Sequence, residues 1–298
     1  MTRIQAAKGH GTKNDFVLVF DPHGDIEIDE SLVRKLTDRR AGIGGDGLIR
    51  LIRTDALGDE ATLQGDATWF MDYRNADGSI AQMCGNGVRV VAAFYEHLGL
   101  GDVAREPLAV GTRAGVKTVT KDSQSSWYSV DMGPASLTYG DAARSRGADS
   151  EVVADGLGMA PRAALSVDMG NPHTVVALAT PHELVGLDLG SQPAVTPVPK
   201  DGSNVEFAAI LDPPRAGVGH ASMRVFERGV GETQSCGTGA CAVAVALHEW
   251  GGPSSPRTWR IDVPGGSVEV DLSNPATVVL SGPARIVADL DIDLTQLG

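Results

Sequence analysis

The pattern Cys-Gly-x-Gly occurs twice, at Cys84-Gly85-Asn86-Gly87 and at Cys236-Gly237-Thr238-Gly239, about half a chain length apart. Each copy opens an apolar run, Val90-Val91-Ala92-Ala93-Phe94 in one case and Ala242-Val243-Ala244-Val245-Ala246-Leu247 in the other. Each cysteine is therefore expected where a helix begins. The flanking segments repeat as well. Asn14-Asp15-Phe16-Val17-Leu18 resembles Pro172-His173-Thr174-Val175-Val176, and at the same offset Asp46-Gly47-Leu48 falls on Asn204-Val205-Glu206. Both halves read as polar loop and strand, helix, strand, strand ending in an Arg-containing turn, cysteine, helix, meander. Short matches gain weight from their common order, which points to duplication. A chain of 298 residues has the length of two ordinary domains.

Residues 8–15 read as a polar, glycine-containing loop fit to line a pocket, followed by a strand over 16–20 and a helix over 29–40 that stops near Gly42. Gly42-Ile43-Gly44-Gly45-Asp46-Gly47 formally satisfies G-x-G-x-x-G, but a helix precedes it and a strand-like 48–52 follows. That order is the reverse of a dinucleotide fingerprint, so it reads as a glycine-rich loop. A strand over 68–73, a turn over 74–79 and the first cysteine helix, to about His97, lead to strands over 108–110, 116–120 and 127–132, an antiparallel meander. Residues 133–162 are weakly patterned and read as a domain connection, with 151–157 as a short element. Beyond it come strands over 164–169, 204–211 and 223–227, a helix from Pro181, a proline-rich loop over 191–199, the second cysteine helix ending at Gly251, and strands over 259–263, 268–272 and 277–280.

A formal charge of -13 argues against nucleic acid or an anionic membrane surface as the main partner. The first eight residues have no apolar core of a secretory signal, no stretch approaches membrane-spanning length, and three cysteines are too few for a disulfide framework. The expected compartment is the cytoplasm, where thiols stay reduced.

A thiol at a helix N-terminus faces unpaired N–H groups and the positive end of the dipole, and is expected to ionise more readily than a free one. Two such thiols supply what a racemase or epimerase needs: a thiolate to take a proton from one face of a carbon and a thiol to return one to the other. N–H groups bared by Gly85, Gly87, Gly237 and Gly239 suit a substrate carboxylate, so no cofactor is required in principle. The plain alternative for any cysteine is packing, which we assign to Cys241, whose counterpart in the first repeat is Arg89. Arg228 and Glu227 precede the second cysteine loop and suit a second carboxylate and an ammonium group. His10 and His173 lie in loops near Asn14 and Asn171, with His173 the stronger candidate as an assisting group.

His10-Gly11-Thr12-Lys13-Asn14-Asp15-Phe16, Asn75-Ala76-Asp77-Gly78-Ser79, Met83-Cys84-Gly85-Asn86-Gly87, Gly170-Asn171-Pro172-His173 and Glu227-Arg228-Gly229-Val230-Gly231-Glu232-Thr233 before Cys236-Gly237-Thr238-Gly239 together resemble the diaminopimelate epimerase family, in its order from end to end. The resemblance implies conversion of LL- to meso-2,6-diaminopimelate, in lysine and peptidoglycan precursor biosynthesis. It implies an α+β fold of two pseudo-symmetric domains from an internal duplication, each a mostly antiparallel β-barrel around a central helix, with the active site in the cleft between them. The expected domains are 1–131, completed by a last strand within 283–298, and 132–282. By the same resemblance Cys84 and Cys236 are the proton-transfer pair, and Gly85, Asn86, Gly237 and Thr238 hold the reacting carboxylate. Asn14, Asn75, Asn171, Asn204, Glu227 and Arg228 fix the rest of the substrate. No cofactor and no metal are expected, the partner is the small amino-acid substrate, and a homodimer is an expectation that no residue pattern specifies. The chain departs from the family at Gly47, where some members place a pocket glutamine, and at Lys13, where a smaller residue is frequent.

Three other readings compete. A proline or hydroxyproline racemase uses the same thiol pair, but the asparagines, Glu227 and Arg228 favour a substrate with a second amino-acid end. A redox or zinc-binding protein lacks support because no C-x-x-C occurs and no Cys/His spacing fits a metal. A duplicated anion-binding module would tolerate replacement of both cysteines by serine.

Overall fold

The structure, a computed structural model, describes residues 3–63 and 67–297, with the side chains of 59–63 left aside. The chain forms two compact units. One takes the residues up to Asp131 and resumes at Gly282, and the other is Met132–Ser281.

In the first unit β1 (Arg3–Gly11) and β2 (Asn14–Phe20) pair antiparallel across Thr12 and Lys13, which both take positive φ as a two-residue hairpin turn demands. Residues 8–15 are thus strand and tight turn, not the polar loop expected. Backbone pairing with two neighbours, rather than composition, decides their state. α1 (Glu30–Thr37) starts at Asp29, whose carboxylate accepts the Leu32 N–H at 2.7 Å. It ends before residue 40 because the Asp38 carboxylate captures the N–H groups of Arg40 and Ala41, both at 2.7 Å. Val33 and Leu36 on this helix pack with Val17, Val19 and Leu48.

β3 (Gly47–Arg53) runs parallel to β2, and β4 (Trp69–Asn75) returns antiparallel. The reversed G-x-G-x-x-G segment lies between α1 and β3, as its context requires. α2 (Gly85–His97) then leads to β5 (Leu108–Thr112), β6 (Gly115–Lys121) and β7 (Tyr128–Asp131), an antiparallel meander whose first strand lies parallel to β4. A strand near the end of the chain, β19 (Arg285–Asp293), pairs antiparallel with β1. The strand order is β19-β1-β2-β3-β4-β5-β6-β7. α2 touches β19 and β1 near one end of that order and β6 and β7 at the other, so the sheet curls around it. Val88, Val90, Val91 and Ala92 are fully buried, the signature of a helix surrounded on all sides.

The second unit repeats this order. β8 (Ser136–Leu137), α3 (Gly140–Arg146), β9 (Ser150–Val153) and β10 (Arg162–Asp168) precede β11 (Pro172–Ala177), α4 (Pro181–Gly186), β12 (Ala194–Thr196), β13 (Asn204–Arg215), β14 (Val218–Glu227), β15 (Gly231–Glu232) and α5 (Gly237–Gly251). β16 (Thr258–Val263), β17 (Gly266–Asp271) and β18 (Val279–Gly282) complete it. β13 lies parallel to β11 and β16 parallel to β14, as β3 does to β2 and β5 to β4. α5 packs against β10, β11, β13, β14, β16 and β17. Phe16 opposes Gly47 in the first unit and Thr174 opposes Val205 in the second, so the backbone register reproduces the offset seen in the sequence. β9 lies where a short element was expected within 151–157, and two expectations are corrected: α3 occupies part of the stretch taken for a connection, and β12 lies in the proline-rich loop, paired with β9. These elements are too short to show a period of their own.

Candidate active site

Both cysteines are N-caps. Cys84 holds extended dihedrals (φ -139°, ψ 118°) before α2, and Cys236 does the same (φ -116°, ψ 115°) before α5. In each case the sulfur accepts the N–H three residues on, from Gly87 and from Gly239, at 3.4 Å. A thiol thus stands where Ser or Asp commonly caps a helix, and its lone pair satisfies a donor that has no partner within the helix. The three cysteines are thiols rather than disulfide partners, and Cys241, fully buried inside α5, is packing.

In the first unit Cys84 is partly exposed and its Sγ lies 3.5 Å from Asn14 Oδ1, which also accepts from Asn86 Nδ2 at 3.2 Å. Asn14 is held from behind by Asp46, whose carboxylate accepts Asn14 Nδ2 at 2.7 Å and the Asp15 N–H at 3.1 Å. Asn86 is held by the buried Arg89, whose Nη2 donates to its Oδ1 at 2.9 Å. Asn14, Gly85, Asn86 and Cys84 therefore form one constellation. Asn75 lies at the end of β4 opposite Gly47 and donates to Ser79 Oγ at 3.0 Å, closing the turn. His10 accepts the Lys13 N–H at 3.3 Å as part of the β1–β2 turn.

In the second unit Cys236 is buried, with 7% exposure, and its Sγ lies 3.5 Å from Thr238 Oγ1. Asn171 Nδ2 donates to that hydroxyl at 3.5 Å, and Asn171 Oδ1 lies 3.0 Å from His173 Nε2. His173 Nδ1 lies 2.7 Å from Glu206 Oε1, and neither side chain has any exposed surface. Asn204 accepts the Arg228 N–H at 2.9 Å and donates to the Pro172 carbonyl at 3.3 Å, tying β11 to the loop after β14. Thr233 donates to Glu227, and the Arg228 guanidinium donates to the Asp201 carbonyl.

Burial pushes the Cys236 thiol well above its usual range, and the negative charges of Glu227 and Glu206 push it further. The Thr238 hydroxyl and the Gly239 N–H pull it back without cancelling the rise. The expectation that a helix start makes this thiol more acidic is corrected: the local dipole is outweighed by desolvation and by two carboxylates brought in from β13 and β14. His173 reaches Cys236 through Asn171 and Thr238. Four supports escaped the sequence reading: Asp46, Arg89, Thr233 and Glu206. Two of them left a visible signal as charged residues inside otherwise apolar runs: Arg89 within Val88 to Phe94, and Glu206 within Val205 to Ile210, where the first repeat has Leu48.

Among the described residues no helix is long and apolar enough to cross a membrane. Solved structures with the same architecture include a PhzF-family phenazine biosynthesis protein from Bacillus anthracis, with a TM-score of 0.66 and 12% identity over 98% of this chain and 99% of the other. A hydroxyproline epimerase from Agrobacterium vitis has a TM-score of 0.65 and 12% identity over 98% and 93% of the two chains. At such identity they show the fold alone, an α+β fold built on curled, sheet-rich units. Sequence relatives are much nearer. A diaminopimelate epimerase from Streptomyces coelicolor is 44% identical over 99% of this chain and 98% of its own, and one from Thermobifida fusca is 43% identical over 99% and 100%. The sequence profile described as diaminopimelate epimerase matches residues 6–138 and 165–287, which include both thiol-capped helices and the loops that hold them, and the chain belongs to that family.

Proposed function

We propose that this chain interconverts LL- and meso-2,6-diaminopimelate without a cofactor, using Cys84 and Cys236 as an acid–base pair. The observation that carries the reading is the repeated cap: two equivalent helices each begin at a thiol whose sulfur is held by a backbone N–H. Inversion at a carbon needs a base on one face and an acid on the other. One thiolate removes the α-proton, the electron pair left on carbon spreads into the adjoining carboxylate, and the other thiol delivers its proton to the opposite face. The two sulfurs then exchange roles. Burial disfavours charge on Cys236 relative to the partly exposed Cys84, so we assign the donor role in the first half of the reaction to Cys236 and the base role to Cys84.

Helix N–H groups at Gly85, Asn86, Gly237 and Thr238 supply the dipoles that stabilise charge on the carboxylate. Asn14, Asn75, Asn171, Asn204, Glu227 and Arg228 are assigned to the substrate's remaining polar groups. The cytoplasm is the compartment that keeps both thiols reduced. A homodimer belongs to the same proposal, and light scattering tests it, a mass near 31.0 kDa counting against it.

The test is incubation of reduced protein with LL-diaminopimelate in deuterated water. Solvent deuterium is expected at one α-carbon, and Cys84→Ala and Cys236→Ala are each expected to abolish its entry. Activity surviving in either variant would refute the two-thiol mechanism. Turnover of proline with none of diaminopimelate would refute the substrate.

A further inference from the structure

We propose that Glu206 is a positioning residue that keeps a proton on His173 Nε2 and so aims a chain of hydrogen bonds at the Cys236 sulfur. The chain is continuous within the second unit: Glu206 Oε1 to His173 Nδ1 at 2.7 Å, His173 Nε2 to Asn171 Oδ1 at 3.0 Å, Asn171 Nδ2 to Thr238 Oγ1 at 3.5 Å, and Thr238 Oγ1 to Cys236 Sγ at 3.5 Å. Its direction follows from donor chemistry. An amide oxygen only accepts, so Nε2 must carry a hydrogen. The amide nitrogen only donates, so the Thr238 hydroxyl accepts from it and turns its own hydrogen toward the sulfur. A hydroxyl donating to sulfur favours the thiolate.

Glu206 fixes this direction. A neutral imidazole alone is free to carry its hydrogen on Nδ1, which would set a bare Nε2 against the Asn171 oxygen. A neutral imidazole donating from Nδ1 to a Glu206 carboxylate would set a bare Nε2 against the Asn171 oxygen and leave a net negative charge at full burial, so the two arrangements that fit are an imidazolium donating to the carboxylate and an imidazole accepting from the carboxyl. Both arrangements keep Nε2–H, and both leave the pair with no net charge. A carboxylate at this depth has no packing rationale. Glu206 is fully buried on β13, its Oε2 has no hydrogen-bond partner among the described residues, and the equivalent position in the first unit holds Leu48. An under-satisfied buried carboxylate is costly to retain, and the duplicated half shows that the fold does not need it.

The inference rests on the reading of Cys236 as an acid–base thiol. The first measurement does not depend on turnover, so failure of the activity and failure of the chain are separable. In protein labelled with 15N-histidine, the His173 signal, identified as the one lost in His173→Gln, is expected to show a hydrogen on Nε2 under the conditions of the activity assay. A bare Nε2 overturns the proposal, whatever any variant does. The second measurement is the pH midpoint of Cys236 alkylation, with Glu227, Glu206 and His173 as the charged or titratable groups that bear on it. Glu206→Leu is expected to raise that midpoint and to lower kcat on the order of 10- to 100-fold, with a smaller effect on KM. Glu206→Gln, whose amide still donates to Nδ1, is expected to recover most of both. A midpoint that falls in Glu206→Leu would mean that Glu206 acts only as a nearby charge, and would overturn the proposal. So would an unchanged midpoint with unchanged kcat.

Discussion

Gly87 and Gly239 occupy the same position in the two repeats, the third residue of a thiol-capped helix, yet alanine is predicted to cost much more at one than at the other. A Cβ on Gly239 would lie 2.8 Å from Glu206 Oε1 and 3.3 Å from Cys236 Sγ. Ordinary non-bonded contact begins at about 3.5 Å, so the carboxylate must retreat by roughly 0.7 Å. It is fully buried and already 2.7 Å from His173 Nδ1, which leaves it little room. A Cβ on Gly87 meets Met71 Cε at 2.7 Å and Ile49 Cδ1 at 3.1 Å, the free ends of two flexible apolar side chains. Overpacking costs about 1–3 kcal/mol and alanine returns up to about 1 kcal/mol of helix propensity. Gly239→Ala should therefore destabilise by about 1–2 kcal/mol and Gly87→Ala by about 0–0.5 kcal/mol. Urea denaturation followed by circular dichroism, with midpoints compared at a common slope, reads the difference. Equal losses, or a larger one at Gly87, would refute the idea that Glu206 rigidly backs the second helix start.

Two further outcomes follow from charge. Glu227→Gln removes one of the carboxylates that raise the Cys236 thiol, so the pH midpoint of Cys236 alkylation should fall; a rise or no movement would contradict the assignment. Burial disfavours charge on Asp15, but ion pairs with Arg39 and Lys8 more than offset this and bring it down to about 2. A depressed carboxylate stabilises the fold above its unfolded value near about 3.9, and that contribution is lost as pH falls from about 4 toward about 2. Asp15→Asn should flatten the urea midpoint over this window, and a variant that keeps the wild-type slope would count against the ion pairs.

The two helix starts were legible because their signal is local: a cysteine, glycines, then apolar residues at every helical face. The duplication was legible because its parts recur in one order, and the backbone register agrees with it. β1 was not, since Arg3–Gly11 offers only Ile4, Ala6 and Ala7 as buried apolar residues and owes its state to pairing with β2 and β19. The acidity of Cys236 was misread for a related reason. A helix terminus is visible in sequence, whereas the burial and the two carboxylates that overrule it arrive from strands far away in the chain. Asn14 and Asn171 were found as polar residues in repeated loops. What they lean on, Asp46 in one unit and the His173–Glu206 pair in the other, became identifiable only when β3 and β13 were seen beside β2 and β11.

The pairing of β19 with β1 has a consequence for biogenesis. The unit that holds β1 contains a strand translated after everything in the other unit, so its sheet cannot be completed until residues 285–293 have been made. Residues 132–281 are contiguous and need nothing from later sequence, so on the ribosome the second-encoded unit is free to finish first. Until residues 285–293 emerge, the edge of β1 is a row of unpaired backbone donors and acceptors, open to strands of neighbouring nascent chains. Loss or blocking of residues 285–293 would therefore injure the unit that bears Cys84, far earlier in the chain than the defect.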